Sequence, residues 1–510
     1  MPIAHNLGFP PIGANRELKR ATEGYWSGKV SRADLLKTAA DLRAAHWQLQ
    51  RNAGLDLLPS NDFSYYDRVL DTCAMVGAVP ARYGWSGGPV ELDMYFAMAR
   101  GVQRGGRDVT AMEMTKWFDT NYHYIVPEFE PGQAFRLSST KMIEEFREAK
   151  ALGFHAKPVL IGPVTFLLLG KSRAARFNRL DLLDTLLPIY AGVLAQLAAA
   201  GATWVQLDEP CLALDRSPEE RAAYVRAYRF LAERAPQVKI LLATYFAGLD
   251  DNLPTALDLP VAGLHADVVR APGQLEPLLK AWPKGRVLSL GVIDGRNIWK
   301  ADLAGALALL ERARKQIGAD DLWVAPSCSL LHTPIDLDLE RRLDAELKGW
   351  LAFAKQKLAE VVTLTGAVRA GRQAVAAELE ANARASAARR SSRRIHNPAV
   401  KQRAAAVTER DMRRVTLHAE RRRQQIRLPL FPTTTIGSFP QTVEVRAARK
   451  QLNDGKLTQQ QYDAFIADQI TRTLKLQEEL DIDVLVHGEF ERNDMVEYFG
   501  EQLEGFAFTE

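Results

Sequence analysis

The chain has 510 residues, with 66 Lys and Arg against 62 Asp and Glu and 47% apolar residues. This composition excludes a disordered or fibrous chain, and the length suits two or three domains at roughly 100–200 residues each. No stretch reaches the ~18 consecutive apolar residues of a membrane span, residues 1–19 lack a signal peptide's apolar block, and three scattered cysteines cannot build a disulfide framework. A cytoplasmic protein without a membrane partner is expected.

Residues 1–357 alternate strand-like and helix-like segments. Apolar runs at Leu55–Leu58, Pro158–Ile161, Trp204–Leu207, Ile240–Tyr245, Val287–Val292 and Leu322–Ala325 read as strands. Amphipathic stretches between them, such as Ser31–Asn52 and Leu180–Ala200, read as helices. Parallel βα units over about 350 residues favour an α/β (β/α)8 barrel of the TIM type over an open sheet.

Residues 358–428 are helical in composition and basic. Between Gly366 and Arg427 the net charge is +11, so the rest of the chain carries −7. Arg389-Arg390, Arg393-Arg394 and Arg421-Arg422-Arg423 suggest either a nucleic-acid surface or a solvated helical connector. The connector is preferred, because no aromatic residues alternate with the arginines as base stacking requires.

From residue 429 the start of the chain recurs. Gly8-Phe9-Pro10 resembles Gly437-Ser438-Phe439-Pro440, and residues 28–63 align without gaps to residues 455–490. Shared positions include Gly28/Gly455, Asp41/Asp468, Gln50/Gln477, Asp56/Asp483 and Phe63/Phe490. Both copies open a helix with a cap pattern, Ser31-x-x-Asp34 and Thr458-x-x-Gln461. Each then reaches an apolar strand, Leu55–Leu58 or Ile482–Leu485, followed by an acid, Asp62 or Glu489. A duplication is expected, with residues 429–510 forming the start of a second barrel that this sequence does not complete, since a barrel takes ~250 residues.

Several residues could carry chemistry. Asp208-Glu209 and Asp294 follow strands, where barrel active sites lie, but could equally cap helices. Cys328 and His332 are the one close Cys/His pair, two ligands where catalytic zinc needs three, which favours a structural role. Arg16-Glu17-Leu18-Lys19 and Lys116 offer cations suited to a polycarboxylate or phosphate, or else each is a solvated surface charge. Ile436-Gly437-Ser438 offers backbone donors and a hydroxyl to an anion, and Glu489 offers an opposing carboxylate. Such a pair suits a zwitterionic amino acid, or else a tight turn with a helix cap.

These runs, together with Asn121–Tyr124, Pro326–His332, Thr434–Gln441 and His487–Gly500, make the chain resemble the cobalamin-independent methionine synthases. The resemblance implies two barrels arising from duplication and methyl transfer from 5-methyltetrahydropteroyltriglutamate to L-homocysteine, without cobalamin. It assigns Arg16, Glu17, Leu18, Lys19 and Lys116 to the folate, and Ile436, Gly437, Ser438 and Glu489 to homocysteine. It also implies zinc, with metal ligands and catalytic groups beyond Glu510, a monomer, and no nucleic-acid partner. On this reading the 510-residue chain is itself inactive; the alternative is a fragment that only binds polyglutamylated folate.

Overall fold

The computed structural model describes residues 1–104 and 107–509, which form two units, Met1–Arg390 and Ser391–Thr509. In the first unit eight parallel strands follow in chain order: β1 (Ile3–Ala4), β2 (Leu58–Ser60), β3 (Ala156–Ile161), β4 (Trp204–Asp208), β5 (Lys239–Ala243), β6 (Gly263–Asp267), β7 (Val287–Ile293) and β8 (Leu322–Pro326). From β2 to β8 each strand pairs with its chain neighbour, and β8 pairs with β1. The ring closes where His5 bridges Leu57 in parallel and the Asp56 N–H donates to the Ala4 carbonyl. The expected (β/α)8 barrel is therefore present.

The strands form from apolar runs because parallel strands are covered on both faces. Two of the strands escape that reading. β1 has only two residues, and β6 reads Gly-Leu-His-Ala-Asp, with His265 and Asp267 interrupting its apolar character. Both polar side chains are nevertheless buried, and His265 Nδ1 meets Ser289 Oγ at 2.7 Å inside the barrel.

The outer helices are set by local chemistry. Ser31 Oγ accepts the Asp34 N–H at 3.1 Å to open helix Arg32–Ala53, and Gly54 closes it at φ 98. Helix Leu183–Ala200 is apolar and long enough, with the turn before it, to meet the length and composition of a membrane span. It instead buries Leu186, Tyr190, Val193, Leu194 and Leu197 in the barrel unit.

The expected boundary at residues 357/358 cuts through helix Ala354–Ala370. Leu358, Val361 and Leu364 of that helix are fully buried in the core cluster of the barrel. Helix Ala376–Ser391 is also tied to the barrel: Asn382 Nδ2 donates to the Ala301 carbonyl at 2.9 Å, and the Arg389 guanidinium lies 3.7 Å from the Trp299 ring centroid. The first part of the expected connector thus belongs to the barrel unit. Composition could not reveal this, because an Ala-rich basic helix looks alike whether it is free or has one packed face. Beyond Ser391 the helices Pro398–Ala405, Glu409–Met412 and His418–Gln424 bury no residue.

The second unit repeats the opening of the first in atomic detail. The Ala4 N–H donates to Asp56 Oδ2 at 2.7 Å, and the Thr433 N–H donates to Asp483 Oδ2 at 2.8 Å. Gln50 Nε2 donates to the His46 carbonyl, as Gln477 Nε2 does to that of Thr473. Thr458 and Gln461 form the reciprocal cap of helix Gln459–Glu479. The expected strand at Ile482–Leu485 is reduced to one parallel bridge, Thr434↔Val484, with a second bridge, Ser438↔Gly488, just beyond it. Among the described residues no third segment flanks this pair, so no ladder builds up on either side.

Candidate functional site

A cleft of about 950 Å³ opens where β8, β1 and β2 end, the face on which barrels carry their sites. Its lining comes from three loop segments: residues 10–22 after β1, Ser64 to Tyr66 after β2, and residues 331–341 after β8. Tyr122 and Phe353 complete it.

The loop after β1 shapes the first wall. Gly13 takes φ 83, its carbonyl accepts the Arg16 N–H at 3.0 Å, and Arg16 itself adopts φ 61 before helix Glu17–Trp26 begins. Arg16 and Lys19 are exposed on the cleft. The other two residues of the motif serve the scaffold. Glu17 Oε2 accepts the Asn15 N–H at 3.0 Å and holds the turn, and Leu18, which also borders the cleft, is buried against Ala39, Leu42 and Phe63. Lys116 is exposed at the end of strand Met114–Lys116, paired with His123. It does not line the cleft, although Tyr122 of the same hairpin does.

That hairpin was not legible in the sequence, and it closes the centre of the barrel mouth. Asp119 accepts from Arg270 at 2.8 Å and from Arg296 at 2.6 Å, while Phe118 packs on Phe246 with ring centroids 5.6 Å apart. Beneath it, Asp208 and Glu209 are buried and fully engaged. Asp208 pairs with Arg68 at 2.8 Å and accepts from Tyr245 and Gln206. Glu209 accepts the Thr165 N–H at 2.7 Å and the Tyr228 hydroxyl at 3.1 Å, at the start of helix Pro163–Leu169. Burial pushes its carboxyl up to about 7. These two acids are structural, the helix-capping alternative being realised in Glu209. Asp294 accepts the Arg296 N–H and the Asn297 amide within its own turn.

Cys328 is fully buried, and burial raises its thiol pKa. Burial, with Arg296 nearby, lowers His332 to about 4, and its ring packs against Tyr122 and Phe246. Among the described residues no group of three or more His, Cys, Asp and Glu side chains is placed to hold a metal.

In the second unit the Gly437-Ser438 segment and Glu489 lie side by side. Gly437 takes φ 126 beside the Ser438↔Gly488 bridge, and the Phe439 N–H donates to the Gly488 carbonyl at 2.9 Å. The Glu489 carboxylate lies against Gly437 and is ion-paired with Arg492. The loop bearing Glu489 is stapled from helix Val443–Asn453. There Arg449 Nη2 donates to Gln441 Oε1 and the Phe490 carbonyl, both at 2.9 Å, and Gln441 Nε2 donates to the Glu489 carbonyl. Ile436 is fully exposed.

The fold defines a TIM-type barrel with a cation-bearing cleft, followed by a unit that repeats the barrel's opening around a small polar cradle. Residues 3–318 match the family described as cobalamin-independent synthase, N-terminal domain, and residues 431–510 match its catalytic domain. The chain is 55% identical over 521 residues to the 5-methyltetrahydropteroyltriglutamate–homocysteine methyltransferase of Nitrobacter winogradskyi, covering 99% of this chain and 68% of that protein. Against the protein of the same name from Caulobacter vibrioides the figures are 56% over 522 residues, 99% and 67%. The chain thus spans about two thirds of these relatives' length. A putative vitamin-B12 independent methionine synthase from Listeria monocytogenes aligns with TM-score 0.49 and 16% identity, over 71% of this chain and 97% of that one. The chain belongs to the cobalamin-independent methionine synthase family.

Proposed function

We propose that the chain serves methyl transfer from 5-methyltetrahydropteroyltriglutamate to L-homocysteine, and that its two polar sites divide the substrates between them. The cleft of the first unit receives the glutamate tail, and the cradle of the second unit receives the amino-acid end of homocysteine. The observation that carries this reading is the pair of exposed cations, Arg16 and Lys19, on a cleft large enough for a drug-sized ligand. Lys116, next to the hairpin turn that brings Tyr122 to the cleft, is proposed as a third tail contact.

In the cradle, the Gly437 N–H and the Ser438 hydroxyl are the donors for the substrate carboxylate, and Glu489 is the acceptor for its ammonium. Arg492, which pairs with Glu489 in the free chain, must share or release that carboxylate when the ammonium arrives. The reaction forms a bond between sulfur and the methyl carbon and breaks the bond from that carbon to N5. The N5 electron pair is retained by the folate and takes a proton. The sulfur must first lose its own proton, which at a thiol pKa of about 8.5 needs assistance at neutral pH.

Zinc is the assistant that the resemblance implies, and the described residues do not fit it. They gather no three-donor set, and Cys328 is held as a buried thiol. That same observation supports a second reading, in which this 510-residue chain binds polyglutamylated folate without turning it over. Its three free, buried cysteines suit the cytoplasm as its location.

The test is calorimetric binding of pteroyltriglutamate at low and high salt. Tail recognition predicts that Lys19→Gln weakens binding about tenfold at low salt and less at high salt. Binding that ignores both the substitution and the salt would remove the tail from this cleft.

A further inference from the structure

The cleft carries cations on a second segment. After β8 the chain passes through residues 331–341, and Arg341 at its end is exposed on the same cleft as Arg16 and Lys19. Sequence offers no hint of this partnership, because more than 300 residues separate the two segments. They meet because the ring places β8 beside β1.

The cleft cations differ in what already holds them. Arg20 donates through Nη2 to the Asn15 carbonyl, and Lys19 stands 3.9 Å from Glu23. No hydrogen bond or ion pair among the described residues engages the guanidinium of Arg341. Two acids share the cleft, yet neither cancels Arg341. Asp336 is taken by Lys355 and Gln356, each at 2.9 Å, and Glu340 is only 9% exposed. An unengaged guanidinium presents a planar fork of donors that matches a carboxylate bidentately.

The ligand chemistry requires such a second position. A single terminal glutamate places its carboxylates close together, within reach of one cationic segment. Each further γ-linked residue adds one carboxylate farther along an otherwise apolar and amide chain. Cations on two segments, with Tyr65, Tyr66 and Tyr122 also lining the cleft, fit a chain of several glutamates better than one.

We propose that Arg341 is a second anchor for the anionic tail, binding a carboxylate beyond those held by Arg16 and Lys19 and so setting the preference for longer tails. This rests on the reading of the cleft as the tail site, and the experiment separates the two. Affinities for pteroylmonoglutamate and pteroyltriglutamate are measured on the 510-residue chain and on Arg341→Gln, Arg341→Lys and Lys19→Gln, with thermal melting as the folding control.

Arg341→Gln lowers the ratio of triglutamate to monoglutamate affinity about tenfold, and Arg341→Lys restores part of it. If the unsubstituted chain shows no preference for the triglutamate, the tail-site reading fails and Arg341 falls with it. If that preference exists and is lost in Lys19→Gln but intact in folded Arg341→Gln, the anchor is overturned while the tail site stands.

Discussion

A Cβ placed on Gly437 would lie 3.1 Å from Oε1 of Glu489, closer than side chains normally pack. Glycine is favoured here by its φ of 126, and an added side chain would in addition push the Glu489 carboxylate aside by a few tenths of an ångström. Gly437→Ala should displace the Glu489 carboxylate and weaken homocysteine or methionine binding at least tenfold. Calorimetry checks this, and unaltered melting of the barrel unit would confirm that the effect is local.

The helix Ala354–Ala370 gives a second expectation. With Leu358 fully buried, Leu358→Ala should cost roughly 2–5 kcal/mol in the unfolding of the barrel unit. A fragment ending at residue 357 should fail to fold cooperatively, whereas residues 1–390 should give one sharp transition and resist proteolysis. Equal behaviour of the two fragments in denaturant titration would contradict the placement of this helix.

His265 supplies a pH dependence. Burial lowers its pKa from 6.5 to about 4. The unfolded chain therefore takes up a proton below pH 6.5 that the folded barrel refuses until about pH 4, so stability from this residue falls as the pH drops through that window. The full loss is ~3 kcal/mol. The stability of wild type relative to His265→Gln should fall steadily from pH 7 to pH 4, as read by chemical denaturation. A difference independent of pH would show that the ring is not held neutral.

The parts legible in the sequence are those whose signal is local. Six barrel strands announced themselves as apolar runs, and the helix beginning after Ser31 by its cap. The duplication was readable from a constant register, and the Ala4–Asp56 and Thr433–Asp483 contacts give it an atomic basis. β6 was hidden because a barrel interior admits His265 and Asp267 when each finds partners. Arg16 and Lys19 were visible as clustered cations, but Arg341 was not, since only closure of the ring brings residues 331–341 beside residues 10–22. Asp208 and Glu209 looked like an acid pair at a strand end. Only the partners Arg68, Thr165 and Tyr228, drawn from three other segments, mark them as structural.

The proposed division of the substrates gives the folate tail to the barrel and the amino acid to the repeat. Hydrogen exchange read by mass spectrometry, with each ligand added alone to the 510-residue chain, tests it most directly. The account predicts that 5-methyltetrahydropteroyltriglutamate slows exchange in residues 10–22 and 331–341, and that homocysteine slows it in residues 433–439 and 486–492. Folate protection confined to Ser391–Thr509, or homocysteine protection confined to the barrel, would contradict it.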